Sequence, residues 1–499
     1  MLFSSLIFSF FFTGVAIVYY ILPNKLKWVW LLLSSIFFYM FANPLYILVP
    51  IFTILITYFC AIGIEKSALP RNNNWFFFIG IFLNINILFF FKYSNFFTNS
   101  LFDLTNFLKL NVFNSVKSYN NTLLINLIVP IGISYITFQQ IGYLIEIKQR
   151  NFSAERNLGH FSTYVLFFPK LLAGPVERAH AFLPQLKNNK EFDYFNVTSG
   201  LKLIAWGLFK KTVIADRLGI IVDNIYNNLH NNNGIVLIVA CLFFTIQLYA
   251  DFSGYTDMAL GFAKVFGFNL TQNFNSPFSS KSLTEFWRKW HISLSTWFAD
   301  YVFTPLAIQK RNWGKWSIVY SSMITFVFLG FWHGANWTFI IFGTLHGFML
   351  SFEFLTRKTR KRISCKIPNL FINLIGVSFT FIYFSFSLIF FRSNNVNDAF
   401  YIILNLTTGL NKFFVNITNQ GYIYGIFSGF GVMQKEFIIS LVFILILLIF
   451  EYLQRNKPII EIIETKPTYF RWTFYYSLII VIIFLGSFNS TQQFIYNQF

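Results

Sequence analysis

Apolar residues run through this chain in long blocks separated by short clusters of charge. Residues 2–22 carry no charged side chain, and Lys25 and Lys27 follow them. Residues 28–64 are again uncharged but contain Asn43-Pro44. Proline disfavours helix in the residue before it, so this block predicts two helices. Blocks at 72–91 and 118–145 predict one helix each, and blocks at 369–391, 437–454 and 471–488 predict three more. Residues 316–352 are uncharged apart from His333 and His346. As one helix they would measure about 55 Å, nearly two hydrocarbon cores, so a break is expected at Gly330, Gly334 and Asn336. Two less regular segments, 200–218 and 234–262, complete a set of about a dozen. The predicted class is an all-α integral membrane protein with about 11–13 transmembrane or re-entrant helices.

The charges between the blocks set an orientation. Arg357, Lys358, Arg360, Lys361, Arg362 and Lys366 crowd one short loop, which the positive-inside rule places in the cytoplasm. Counting outward, Lys25/Lys27, Lys66/Arg71, the 146–190 and 264–315 stretches and Arg455/Lys457 fall inside as well. The loops at 92–122 and 392–436 and the tail after 488 fall outside. At the N-terminus the positive charges follow the apolar block, whereas a secretory signal has them in front. The first block therefore reads as an uncleaved span with its N-terminus outside. The chain divides into N-terminal spans (1–145), a core with re-entrant or interfacial helices (146–355) and C-terminal spans (356–499), all within one membrane-embedded domain.

Composition narrows the class further. Charged residues make up 11% of the chain, against about 25% in soluble domains, which excludes an ordinary soluble protein. The net charge of +19 does not indicate nucleic acid, because the basic residues sit in loops between spans and not on one face of a soluble body. Cys60, Cys241 and Cys365 are far apart, with no spacing for a disulfide framework or a metal site. Membrane lipids are the expected surroundings and a cell membrane the expected location.

The stretch 146–315 is different, with charge, Pro and Gly interrupting apolar runs too short to span. Lipid does not tolerate exposed irregular backbone, so such segments must be buried in protein, line a cavity or lie at the interface. Three places stand out. In QLYADFSGYTDMALGF (247–262), Asp251 and Asp257 lie in apolar context beside Ser253. An ionisable residue within a bundle is a functional candidate, although either Asp could equally cap a helix or tie a loop at Ser253-Gly254. In SLTEFWRKWHISLSTWFADYVFTPL (282–306), a single helix capped by Thr284 would carry two apolar stripes, Phe286/Trp290/Leu294/Trp297/Tyr301 and Trp287/His291/Ser295/Phe298. His291 then stands among aromatic rings, with Arg288 and Lys289 on the turn before it; a satisfied core histidine would look the same. In FLGFWHGANWTFIIFGTLHGF (328–348), His333 sits at the break, flanked by Trp332, Asn336 and Trp337. An imidazole with an ordinary pKa of about 6.5 can act as a general base at neutral pH. His346, on the following helix, reads as structural.

No P-loop, GxGxxG, HExxH or GxSxG pattern is present. What remains is one or two histidines among tryptophans, next to positive charge on the cytoplasmic side. That combination suits removal of a proton from a hydroxyl, with an anionic activated donor held at the inner face.

At these residues the chain resembles the membrane-bound O-acyltransferase (MBOAT) family, and within it the bacterial branch of alginate and peptidoglycan O-acetyltransferases. The resemblance is carried by FFPKLLAGPVERAHAFLPQL (167–186), GLFKKTVIADRLG (207–219), DFSGYTDMALGFAKVFGF (251–268), NFNSPFSSKSLTEFWRKWHISLSTWF (273–298) and FLGFWHGANWTFIIFGTLHG (328–347). It implies a ring of helices around a central tunnel. It also implies acyl transfer, usually of acetyl, from a cytoplasmic thioester (acetyl-CoA or another) to a hydroxyl outside, with no bound cofactor or metal. The catalytic role falls on His333 and a supporting role on His291, with an extracytoplasmic esterase-like protein as the expected partner. D-alanyl transfer to teichoic acid is the competing reading within the family. A transporter is the competing reading outside it, though the inverted repeats common in transporters are not visible here.

Overall fold

The computed structural model describes residues 1–41, 43–67, 70–108, 129–172, 174–455, 457–488 and 494–495. The elements that matter below are α1 (Leu6–Ile21), α2 (Asn24–Met40), α3 (Leu48–Lys66), α4 (Pro70–Leu88), α5 (Ser94–Phe107), α6 (Ile133–Lys148), α7 (Tyr194–Leu208), α8 (Ile235–Val265), α9 (Leu283–Trp287), α10 (Ile292–Phe298), α11 (Lys315–His333), α12 (Trp337–Leu355), α13 (Arg357–Ser364), α14 (Asn369–Arg392), α15 (Gln434–Leu453), α16 (Ile459–Glu464) and α17 (Thr468–Leu485). Among the described residues, eight helices are long and apolar enough to cross a bilayer. Other blocks read as spans form shorter helices: α1 and α6 with 16 residues each, α2 with 17 and α7 with 15. Part of the 118–145 block, residues 118–128, lies outside the described residues. The protein is a multi-pass, all-helical membrane protein.

The 31-residue α8 forms the centre, with 72% of its most apolar stretch buried, against 6% for α17 at the periphery. Two glycine pairs let α7 pack closely on α8. A Cβ at Gly207 would lie 2.5 Å from the Gly254 carbonyl oxygen, and one at Gly261 would lie 2.7 Å from that of Gly200. Both helices space these glycines seven residues apart, so one face of each is bare. Such bare faces allow close backbone approach where lipid supplies no hydrophobic drive between helices.

The same device closes the α11–α12 hairpin. A Cβ at Gly343 would fall 2.1 Å from the Phe326 carbonyl oxygen, and one at Gly330 would fall 2.3 Å from that of Phe339. Gly330 is therefore a packing residue inside α11 and not part of the break, which occupies Gly334–Asn336 alone. The break at Asn43-Pro44 falls where the sequence places it, with Asn43 Oδ1 accepting from the Leu45 amide at 3.1 Å.

Two expectations are corrected. Residues 92–107, expected within an outer loop, are helical; α4 passes through a π-helical turn (Phe89–Tyr93) directly into α5. Lys92 does not end the span because its ammonium is occupied by carbonyls of another helix. The remainder of that loop, 109–122, lies outside the described residues. The segment 282–306 is not one helix. Ser282, not Thr284, caps α9, accepting from the Glu285 amide at 3.1 Å. Thr284 is bound instead through its amide and hydroxyl to Glu353 at 3.0 and 2.6 Å. The helix stops at Trp287, and His291 takes a left-handed conformation (φ 45°) before α10 begins. The two predicted stripes therefore do not form.

Candidate active site

His333 is the last residue of α11, and His291 is the left-handed residue ahead of α10; both are buried. The Trp332 ring contacts both imidazoles, at centroid distances of 5.0 Å to His333 and 6.1 Å to His291. Tyr135 lies 5.6 Å from Trp332 and 6.4 Å from His291, and Phe252 meets His291 edge-on at 4.6 Å. Phe391 and Phe342 close the other side of His333 at 5.2 and 5.9 Å. The two histidines picked from sequence thus share one aromatic chamber. A non-glycine residue in the left-handed region is uncommon and persists only where its surroundings enforce it. Here the Ile292 amide donates to the Asn273 carbonyl at 2.9 Å, and the Ser293 hydroxyl donates to Asn273 Oδ1 at 2.6 Å.

The frame behind His333 was not read from the sequence. Lys92 Nζ donates to the carbonyls of Trp332 and His333, both at 3.0 Å, and Tyr93 donates to the Phe331 carbonyl at 3.0 Å while stacking on its ring. A helix end leaves four carbonyls without intrahelical partners, and a cation there also meets the negative end of the helix dipole. Lys92 thus fixes the terminus that presents His333. Its signal in the sequence was a lone lysine in an apolar run, read there as the end of a span.

His346 is held differently. Its Nδ1 accepts from Trp287 Nε1 at 3.2 Å, so Nε2 carries the hydrogen and donates to Ser387 Oγ at 2.9 Å, which in turn donates to the Phe384 carbonyl at 2.7 Å. Both ring nitrogens are satisfied within the protein, as the structural reading expects. His346→Ala leaves the Trp287 N–H unpaired, at a cost of about 1–3 kcal/mol. The expected result is a lower thermal unfolding temperature in detergent with activity per folded molecule largely retained.

The other residues singled out divide into three groups. Trp287 and Arg288 line a cavity of about 700 Å³ that runs from Arg357 and Arg360, at the basic end of the bundle, past Phe326 to Leu329, one helical turn before His333. Lys289 and Trp290 belong to the framework: Lys289 pairs with Glu285 at 2.8 Å, and Trp290 stacks on Phe286 at 5.4 Å. Asn336 caps α12, accepting from the Thr338 amide at 3.1 Å, while the exposed Trp337 ring packs on Phe96 at 5.7 Å and does not wall His333 as the sequence placement implied.

Asp251, Ser253 and Asp257 form the third group. They lie within continuous α8, so neither Asp caps a helix or ties a loop at Ser253-Gly254. Lys211 bridges Asp251 and Asp216 at 2.8 and 2.7 Å, and Lys210 binds Asp257 and Ser253 at 2.6 and 3.0 Å. Asp251 also accepts from the Ile495 amide at 2.8 Å, which brings that part of the C-terminal tail into the core. These ion pairs are a network apart from the histidine chamber, joined to it through Phe252.

A bundle of membrane helices that buries two histidines against one tryptophan, with a cationic cavity ending one helical turn away, fits a polytopic membrane enzyme. A sequence model of MBOAT, the membrane-bound O-acyltransferase family, matches residues 148–392. The chain is 35% identical over 445 residues to the peptidoglycan O-acetyltransferase of Helicobacter pylori, covering 82% of this chain and 80% of that protein. It is 33% identical over 402 residues to the probable alginate O-acetylase AlgI of Pseudomonas syringae pv. tomato, covering 80% and 74%. A third relative, the teichoic acid D-alanyltransferase of Bacillus subtilis, is 28% identical over 273 residues, covering 53% and 69%. The chain belongs to the membrane-bound O-acyltransferase family and is a membrane-bound acyltransferase.

Proposed function

We propose that this protein moves an acetyl group from a cytoplasmic thioester, acetyl-CoA or another carrier, to hydroxyls of an extracytoplasmic polysaccharide or peptidoglycan, with His333 as general base. The observation that carries this reading is the cavity of about 700 Å³, cationic at one end and ending one turn from His333. Its outer part, with Arg288, Arg357 and Arg360, suits the phosphates of a donor, and its inner part, with Trp287, Phe326 and Leu329, suits the thioester arm. In the reaction an imidazole nitrogen of His333 takes the proton as the acceptor oxygen attacks the thioester carbonyl. The carbon–sulfur bond breaks, and the thiolate leaves with that proton. His291 orients the thioester end. The two O-acetylating relatives match more of the chain than the D-alanylating one, which favours acetyl as the group. The burial of both histidines favours a separate extracytoplasmic protein that brings the acceptor hydroxyl to this chain or carries the acetyl group on to the polymer.

Two experiments bear on the donor and the orientation. Arg288→Ala removes a charge-assisted contact of about 1.5–3 kcal/mol, so the apparent donor KM should rise about tenfold or more while kcat changes little. An unchanged donor titration would leave the cavity bases as lipid anchors only. Reporter fusions should place Lys361 in the cytoplasm and the 392–436 segment outside. An external signal at Lys361 would reverse the direction of transfer.

A further inference from the structure

A second cavity, of about 410 Å³, opens at the basic end of the bundle between α7, α8, Gln454–Arg455 and the residues from Lys457 to Glu464, apart from the histidine chamber and its donor cavity. Its wall carries the cations Lys210, Lys264, Arg455 and Lys457 and the carboxylates Asp257, Glu461 and Glu464. Three of these charges are already matched: Lys210 and Asp257 pair with each other at 2.6 Å, and Glu464 pairs with Lys202 at 2.8 Å. The balance left to a ligand is Lys264, Arg455 and Lys457 against Glu461.

An apolar slot of about 170 Å³ adjoins this cavity. Trp206, Ile459 and Ile460 line both, so the two spaces share one wall. The slot runs between α7 and α17, past Phe474 and Leu478, toward Leu201 and Ile479, which are exposed on the outside of the bundle. A cationic chamber beside a hydrocarbon slot that reaches the outside of the bundle matches an amphiphile with an anionic head. We infer that the pair of cavities binds an anionic phospholipid. The phosphate diester lies against Lys264, Arg455 and Lys457, Glu461 accepts from a head-group hydroxyl, and one acyl chain lies along Trp206, Phe474 and Leu478. A small phosphate compound would use the chamber and leave the slot empty, and a zwitterionic lipid would leave the cationic wall without a full partner.

The test uses the full-length protein, delipidated in non-ionic detergent, with bound lipid read by native mass spectrometry. The probes are phosphatidylglycerol, phosphatidylcholine and inorganic phosphate. Wild type should retain phosphatidylglycerol over phosphatidylcholine. Lys264→Gln with Lys457→Gln should weaken phosphatidylglycerol binding about fivefold per cation and leave phosphatidylcholine unchanged. Leu478→Trp, which fills the slot from a peripheral helix, should weaken both lipids. Each variant is compared at unchanged elution and unfolding temperature. Equal phosphatidylglycerol retention by wild type and the double variant would overturn the proposal. So would full displacement of the lipid by inorganic phosphate, which would assign the chamber to a small anion.

Discussion

His333→Ala should abolish acetylation of the acceptor polymer while the protein still inserts and accumulates. A hydroxyl is a poor nucleophile at neutral pH because it keeps its proton until late in the attack. A base that takes the proton in the transition state typically contributes about 10²–10⁴-fold. His333 is the better placed of the two chamber histidines, since it ends α11 at the Gly334–Asn336 break and follows the inner end of the donor cavity by one turn. The substitution removes a ring from an aromatic chamber but leaves the Lys92 contacts to the backbone carbonyls intact, so assembly should survive. His291→Ala should also slow transfer, with a residual rate that responds to added donor, as expected for a residue orienting the thioester. The measurement is O-acetyl content of purified polymer beside membrane levels of each variant. Near-normal acetylation by well-expressed His333→Ala would remove His333 as the general base.

Much of this architecture was legible because apolar block length is a direct physical constraint: a bilayer sets the helix length. The histidine chamber was legible in part. His333 and His291 announced themselves as ionisable residues among tryptophans, and the structure brings them to the same Trp332 ring. Helical periodicity failed at 282–306 because a distant carboxylate, Glu353, binds the amides of Leu283 and Thr284, and Asn273 fixes the turn after His291. Both partners lie outside the segment, Glu353 some 70 residues on from Leu283, so no periodicity within it could report them. The Asp251 and Asp257 reading ran the other way. Two intramembrane carboxylates looked like site residues, yet their charges are met by Lys211 and Lys210 on the π-helical turn after α7, a pairing visible only once α7 and α8 are packed.

Lys92 gives the second large effect, and it separates positioning from chemistry. Lys92→Met should lower kcat roughly a hundredfold with the donor KM unchanged. The ammonium serves the carbonyls of Trp332 and His333 at 3.0 Å each, and a buried carbonyl that loses its partner costs about 1–3 kcal/mol. The helix end can escape that cost only by moving, and movement of about 1 Å at a catalytic group is enough for a loss of this size. Insertion should not suffer, because methionine in the helix formed by α4 and α5 is more apolar than the lysine it replaces. Nor should donor binding, since Lys92 does not line the donor cavity. Lys92→Arg keeps the charge and the donors and should recover part of kcat, limited by the wider guanidinium. A purely structural lysine would instead lower the amount of folded protein and leave kcat per molecule as it was. The measurement is a donor titration at saturating acceptor, normalised to folded enzyme, and an unchanged kcat in Lys92→Met would remove Lys92 from the frame that presents His333.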